Sequence, residues 1–370
     1  MKRLVAVVIC SLVVPAAAPA TVRTDAQLRS AARLSGLPAR KPVPRATLSP
    51  ARYAALLARA HNREYPAALR NADARLYARL GLQAVVLRQR APSPATPAWY
   101  DPYARKLLLQ RPAVPGGARV VHELVRALVD QNFNLRRLNG LRGRDRDASL
   151  AARAIVDGTA ALVSKLRLPS LRGTPADRFV ALESSAGLGP GRELASELRY
   201  LGGSNALRTA LRTFPQTTEQ LLHIDKFLER ERALPVRLPT RVGDLQLATT
   251  ETFGELDLRN LLRAVGVANA VKLADGWGGG RAGLYLTPSG DTVAAIALRW
   301  DTLEDAAEWR AGVPAYVAAA FPGAVAGDCP PLDRCWTSGS GLASGVIGTT
   351  SVFVSGPGAR ELGATLLGSP

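Results

Sequence analysis

The stretch that most constrains the fold is residues 114–135, VPGGARVVHELVRALVDQNFNL, where apolar side chains recur at helical spacing around a few charged ones. Such a helix belongs in a core, and the turn at Pro115 to Gly117 starts it. A charged loop, NGLRGRDRD at 139–147, leads into a second helical run, ASLAARAIVDGTAALVSKL at 148–166, whose cap is placed near Asp147. Residues 49–81 read as two more helices, with Pro50 in a first turn. Residues 174–235 read as helical, broken at GLGPG and LGG.

Between these lie a lead-in rich in Ala, Arg and Pro at 21–45 and a Pro-rich loop at 91–98. A turn at DPYAR precedes a short strand over Leu107 to Leu109. From about residue 240 the texture changes. AGLYLTP, TVAAIALRW and GVIGTTSVFVSG read as strands among the helices RNLLRAVG and DAAEWRAGVPAYVAAAF. No internal repeat is visible. The expected fold class is α+β, mainly α, with an α-rich region at 21–239 and a smaller α+β region at 240–370.

Lys2 and Arg3 precede the apolar run Leu4 to Val14, and small residues ending in the A-x-A pattern of Ala18 and Ala20 follow. That is the layout of a cleaved export leader. The run is too short for a bilayer span, which needs roughly 20 residues. Cleavage is expected after about Ala20, giving a secreted or cell-envelope protein without a transmembrane segment in its mature chain. Cys10 leaves with the leader. The remaining pair, Cys329 and Cys335, is then expected to form a local disulfide, since neither a CxxC spacing nor a nearby histidine points to redox or metal chemistry.

The formal net charge is +18, and 42 of the 48 basic residues are arginine. These arginines are scattered, with few aromatics between them and no nucleic-acid motif, so nucleic acid is not an expected partner. They read as solvated residues whose summed field favours acidic envelope polymers. GWGGG at 276–280 lacks the strand-then-helix setting of a phosphate-cradling loop and reads as a tight loop.

His122 and Glu123 open a His-Glu-x-x-His pattern in which Arg126 stands at the second histidine. Positions four apart share one helix face. In a zinc site they would carry two neutral imidazoles, with the glutamate activating the metal-bound water. A guanidinium offers only donors, and it sets a positive charge where the cation would sit. The chain has three histidines, His61, His122 and His223. His61 reads as solvated, and His223 as a structural histidine or, in a minority reading, a substitute ligand.

Several blocks resemble a family of bacterial exported or membrane-attached HExxH (zincin-type) metallopeptidase-like proteins, which carry HELTHALQDQHFDL and ALVEGDA helices. This chain has HELVRALVDQNFNL at 122–135 and AIVDGTA at 154–160. WYDPYARKLLL, TTEQLLHIDKFLERE, FGELDLRNLL, ADGWGGGR and RWDTLEDAAEW resemble further blocks, in the same order and over most of the mature chain. The resemblance implies a zincin-like helical core. It puts His122 at the first zinc ligand, Glu123 at the general base and Asp157 at the acidic third ligand. Arg126 removes the second ligand, and Asp157 is shorter than the family's glutamate by roughly 1.5 Å, one carbon–carbon bond. Asn132, Asn134 and Gly280 depart as well.

The leading expectation is therefore a degenerate member: a secreted, non-catalytic relative that binds a peptide or protein, or regulates, in the cell envelope, with no cofactor. Arg126 is expected to replace the metal's charge by pairing with Glu123 or Asp157. One alternative is a zinc metallopeptidase with an altered ligand set. Another is a basic envelope-binding protein.

Overall fold

A computed structural model describes residues 20–82, 97–112, 117–337, 339 and 341–368. The expected leader, apart from Ala20, lies outside them, as do most of the Pro-rich loop and of the Pro115 to Gly117 start. Of the described residues, 51% are helical and 20% are in strands, so the fold is mixed α and β with a helical majority.

The first part of the chain runs α1 (Ala20–Ser35), β1 (Arg45–Leu48), α2 (Pro50–Glu64), α3 (Ala67–Arg79), β2 (Ala98–Asp101), β3 (Lys106–Gln110) and α4 (Ala118–Phe133). After a 3-10 turn at Leu135–Leu138 come α5 (Leu141–Arg144), α6 (Arg146–Ser164), α7 (Pro175–Ser184), α8 (Pro190–Thr213), α9 (Thr218–Leu222) and α10 (Ile224–Glu229). Helices α4 and α6 are the centre of this part. Leu124, Val125, Leu128 and Val129 of α4 meet Ala151, Ile155 and Ala160 of α6, and α1 and α8 close over them with Leu28, Ala31, Leu194, Leu198 and Leu211. Helix α6 fits tightly because it crosses α8 through Gly158 and Gly191. A Cβ on Gly158 would overlap the Gly191 carbonyl, and one on Gly191 the Ala154 carbonyl. A three-stranded sheet, β1-β3-β2, lies beside α4.

The second part adds β4 (Arg241–Val242), β5 (Leu245–Thr252), α11 (Glu255–Val265), β6 (Trp277–Leu286), β7 (Thr292–Trp300) and α12 (Leu303–Ala320). It ends with β8 (Val325–Cys329), β9 (Leu332–Thr337), β10 (Leu342–Ile347), β11 (Thr350–Ser355) and α13 (Ala359–Gly368). Its eight strands form an antiparallel sheet in the order β4-β5-β6-β7-β11-β10-β9-β8. Strand β7 shows why its sequence lacks a polar alternation. Val293, Ala295 and Ala297 face a layer with Leu362, Leu366 and Leu367 of α13, while Ala294, Ile296, Leu298 and Trp300 face α11 and α12. Both faces are buried. The second layer also takes in Leu76 and Tyr77 of α3 and Phe179 and Leu182 of α7, so these two helices of the first part share a core with the sheet. Cys329 and Cys335 form a disulfide across β8 and β9, at one edge of the sheet. No described helix is long and apolar enough to cross a membrane.

Two sequence expectations are made more exact and two are corrected. The lead-in 21–45 holds a helix and a strand, α1 and part of β1. The cap of α6 is Asp145, whose Oδ1 accepts the Ala148 N–H at 3.0 Å; Asp147 is turned inward instead. GWGGG is not a tight loop beyond Gly276: Trp277 to Gly280 begin β6. The absence of side chains at Gly278 and Gly279 lets the 230s segment lie against the strand, and the Leu234 N–H bonds the Gly278 carbonyl at 2.6 Å. His61 is half-buried rather than solvated. Its ring packs edge-on against Tyr65, and desolvation lowers its basicity.

Candidate functional site

Helix α4 carries His122, Glu123 and Arg126, and α6 brings Asp157 opposite them. The register of α6 is fixed beside this point by Gly158 and by Gly187, which packs against the Asp157 Cβ. The far end of α4 is pinned by Asp130, whose carboxylate accepts the Leu135 N–H and the Tyr100 hydroxyl, both at 2.8 Å. The two asparagines of the helix tail have structural work. Asn134 adopts the left-handed conformation that ends α4, and Asn132 donates to the Pro38 carbonyl at 2.9 Å.

The structure brings all four residues together. Arg126 Nε lies 3.1 Å from Asp157 Oδ1, and Arg126 Nη1 lies 3.4 Å from Glu123 Oε2. His122 is buried, with Nε2 3.8 Å from the same Asp157 oxygen and Nδ1 3.4 Å from Ser164 Oγ. Glu123 is buried too. Besides Arg126 it accepts the Tyr100 N–H of β2 at 3.0 Å and pairs with Arg119 at 3.7 Å.

The charges are mutually reinforcing. Burial works against ionisation of Asp157, but the Arg126 guanidinium and the His122 ring outweigh it and hold the carboxyl well below its usual range. Burial likewise disfavours the Arg126 charge, and Asp157 and Glu123 more than restore it. Beside this pair lies a cleft of about 50 Å³, walled by Glu64, Arg153, Asn139, Leu135 and Val156.

These residues do not fit a zinc ion. Two ligands remain, His122 and Asp157, and the Asp157 oxygen nearest the imidazole already faces a fixed cation 3.1 Å away. Glu123 is buried, and its Oε2 already accepts the Tyr100 N–H and faces the Arg126 guanidinium.

A family model described as a domain of unknown function (DUF8575) matches residues 241–366. That span takes in the eight-stranded sheet, α11, α12 and most of α13, and excludes His122, Glu123, Arg126 and Asp157. No curated protein and no solved structure matches the chain.

His223 is not part of the α4–α6 cluster. It stands at the junction of α9 and α10, with Nε2 3.0 Å from Glu255 and 3.5 Å from Asp275. Lys226 holds a neighbouring set of carboxylates, Glu219, Glu231 and Asp301.

Sequence reading also missed an arginine–carboxylate network between the helical part and the sheet. Arg146, buried at the start of α6, contacts Glu183 at 2.8 Å, Glu251 at 3.6 Å and Asp257. Arg142 contacts Asp73 at 3.1 Å and Glu183 at 3.2 Å, and its guanidinium stacks on the Tyr65 ring. Next to it, Asp147 accepts the Thr218 N–H at 2.9 Å and the Thr218 hydroxyl. Complete burial, with Asp257 nearby, pushes the Asp147 carboxyl up to about 8. No local pattern marks Arg146, which sits among other arginines in a stretch that reads as a loop.

Proposed function

We propose that this chain is an exported, non-catalytic relative of zincin-type metallopeptidases, acting in the cell envelope by binding a peptide or protein. One observation carries the reading: the Arg126 guanidinium lies 3.1 Å from Asp157 and 3.4 Å from Glu123, where the motif would hold a metal between them. A permanently charged side chain there satisfies both carboxylates without a metal and leaves no metal ion to polarise a carbonyl or activate water. Export is supported by the leader-like first twenty residues and by the Cys329–Cys335 disulfide.

Zinc content and peptide hydrolysis, each measured for the natural chain, His122→Ala, Arg126→His and Arg126→His/Asp157→Glu, test the reading. The natural chain is expected to hold no zinc that depends on His122 and to cleave no peptide. The double variant regains two of the motif's features, which with His122 and Glu123 makes four, and is expected to gain one His122-dependent zinc. Firmly held zinc that His122→Ala removes from the natural chain, together with chelator-sensitive cleavage, would overturn the proposal.

A further inference from the structure

His223, Glu255 and Asp275 are brought together from three separate stretches of chain. His223 caps α10 in an extended conformation, and its N–H is held by the Glu219 carbonyl at 2.8 Å. The ring is thereby presented at the α9–α10 junction. Glu255 is the first residue of α11 and is buried. Asp275 lies in the turn before β6 with 60% of its side chain exposed. Nε2 of His223 is 3.1 and 3.0 Å from the two Glu255 oxygens and 3.5 Å from Asp275 Oδ1, and one ligand atom from each residue falls within 4.8 Å of the others.

The surrounding charge is unbalanced. Glu219, one helical turn before His223, is 1% exposed; one of its oxygens binds Lys226 and the other has no hydrogen-bond partner. Its charge acts on His223, and that of Glu255 acts on Glu219 in turn, so the two clusters form one field. Five carboxylates, Glu219, Glu231, Glu255, Asp275 and Asp301, share it with Lys226, Arg259 and His223. Even with the imidazole protonated, the carboxylates there outnumber the cationic groups.

We propose that His223 Nε2, Glu255 and Asp275 bind a zinc-class divalent cation, with solvent completing its coordination on the Asp275 side. One imidazole with two carboxylates is a donor set for zinc, cobalt or manganese, whereas calcium prefers six to eight oxygens. Such an ion replaces the imidazole proton and brings more positive charge to a site where carboxylates outnumber cationic groups. It also joins α9–α10 of the helical part to α11 and β6 of the sheet part, a structural clasp. This site is separate from Arg126: Thr218, at the start of α9, bonds Asp147, and Asp157 lies ten residues, about 15 Å, further along α6.

The test uses the full chain stripped with chelator, then titrated with Zn²⁺ and separately with Ca²⁺ by calorimetry, with bound metal counted after dialysis. One equivalent of zinc is expected, bound far more tightly than calcium. His223→Gln should abolish it, and Asp275→Asn should weaken it by at least about tenfold. His122→Ala and Asp157→Asn should leave it unchanged. The exposed Asp275 makes its variant safe for folding, which a thermal melt without metal checks. Absence of stoichiometric zinc, or binding indifferent to His223→Gln and Asp275→Asn, overturns the proposal. Zinc that follows His122 instead would sink the reading of Arg126 as well, so the two failures are distinguishable.

Discussion

Arg126 Nε and Asp157 Oδ1 stand 3.1 Å apart between α4 and α6, an ion pair whose two atoms lack hydrogen-bond alignment. Charge rather than hydrogen-bond geometry binds them. The same device recurs at Arg146 and at Lys226, where one fixed cation gathers several carboxylates from distant segments. The interior of this basic protein uses part of its arginine surplus as built-in counter-ions.

Arg126→Met should destabilise the chain by about 2 kcal/mol. Removing one partner of a fully buried pair costs about 3–5 kcal/mol, but Asp157 is 37% exposed and water screens part of the loss. Glu123 keeps its Tyr100 and Arg119 partners. A double-mutant cycle with Asp157→Asn, followed by urea unfolding, should give a coupling of about 1 kcal/mol. Strict additivity would mean that the two groups do not hold each other.

The sequence makes the helices and the central strands legible because their apolar periodicity reports burial directly. Helix α4 shows apolar residues at helical spacing, and β7 an unbroken apolar run that only a strand covered on both faces needs. Strands β5 and β8 were missed for the converse reason. Strand β5 alternates buried or half-buried with exposed residues near one edge of the sheet, and β8 is exposed over Val325 to Asp328 at the other. His122, Glu123 and Arg126 were readable together because they lie on one helix, whereas Asp157 came only from the family resemblance. The Arg146 network was not, since its acids Glu183 and Asp257 lie 37 and 111 residues away and no local pattern foretells a buried arginine.

Arg146→Met should be the most damaging single charge removal. Arg146 is buried and neutralises parts of Glu183, Glu251 and Asp257, which burial already pushes toward protonation in the cases of Glu251 and Asp257. Loss of the cation leaves these acids unpaired at the joint between helices and sheet. The expected cost is about 3–5 kcal/mol, read as a lower urea midpoint. Arg146→Lys should recover only part, because one ammonium cannot reach three acids with a planar fork. A midpoint unchanged in Arg146→Met would show that the network contributes nothing.

Asp147 predicts a pH dependence of defined sign. Its carboxyl titrates near 3.8 when unfolded and is pushed up to about 8 in the fold, chiefly by burial and then by Asp257, with Asp145 a smaller neighbour. Between those values the folded state holds the proton that the unfolded state has lost. Stability attributable to this group is therefore present at the acid end and falls as pH climbs, by up to about 1.4 kcal/mol per unit. Asp257 and Glu251 act with the same sign, so the check is a difference: Asp147→Asn, which mimics the protonated acid, should flatten the slope of unfolding free energy between pH 5 and 8, a window taken roughly inside those limits. Parallel slopes for variant and natural chain would refute it.

Gly158 and Gly143 make a paired test of helix packing. Gly143, in α5, has only Leu69 Cδ1 near its missing Cβ, at 3.7 Å, so alanine fits there without moving a neighbour. Gly143→Ala should stabilise by about 0.5 kcal/mol through reduced freedom of the unfolded chain. Gly158→Ala meets the Gly191 backbone, which cannot swing aside as a side chain would. Helices α6 and α8 must then separate, costing about 1–3 kcal/mol or more. Because Asp157 is the adjacent residue, that separation also moves its carboxylate relative to Arg126. The Arg126–Asp157 coupling measured in a Gly158→Ala background should shrink, whereas in a Gly143→Ala background it should persist. Equal coupling in both backgrounds would show that the α6–α8 crossing does not set the geometry of the pair.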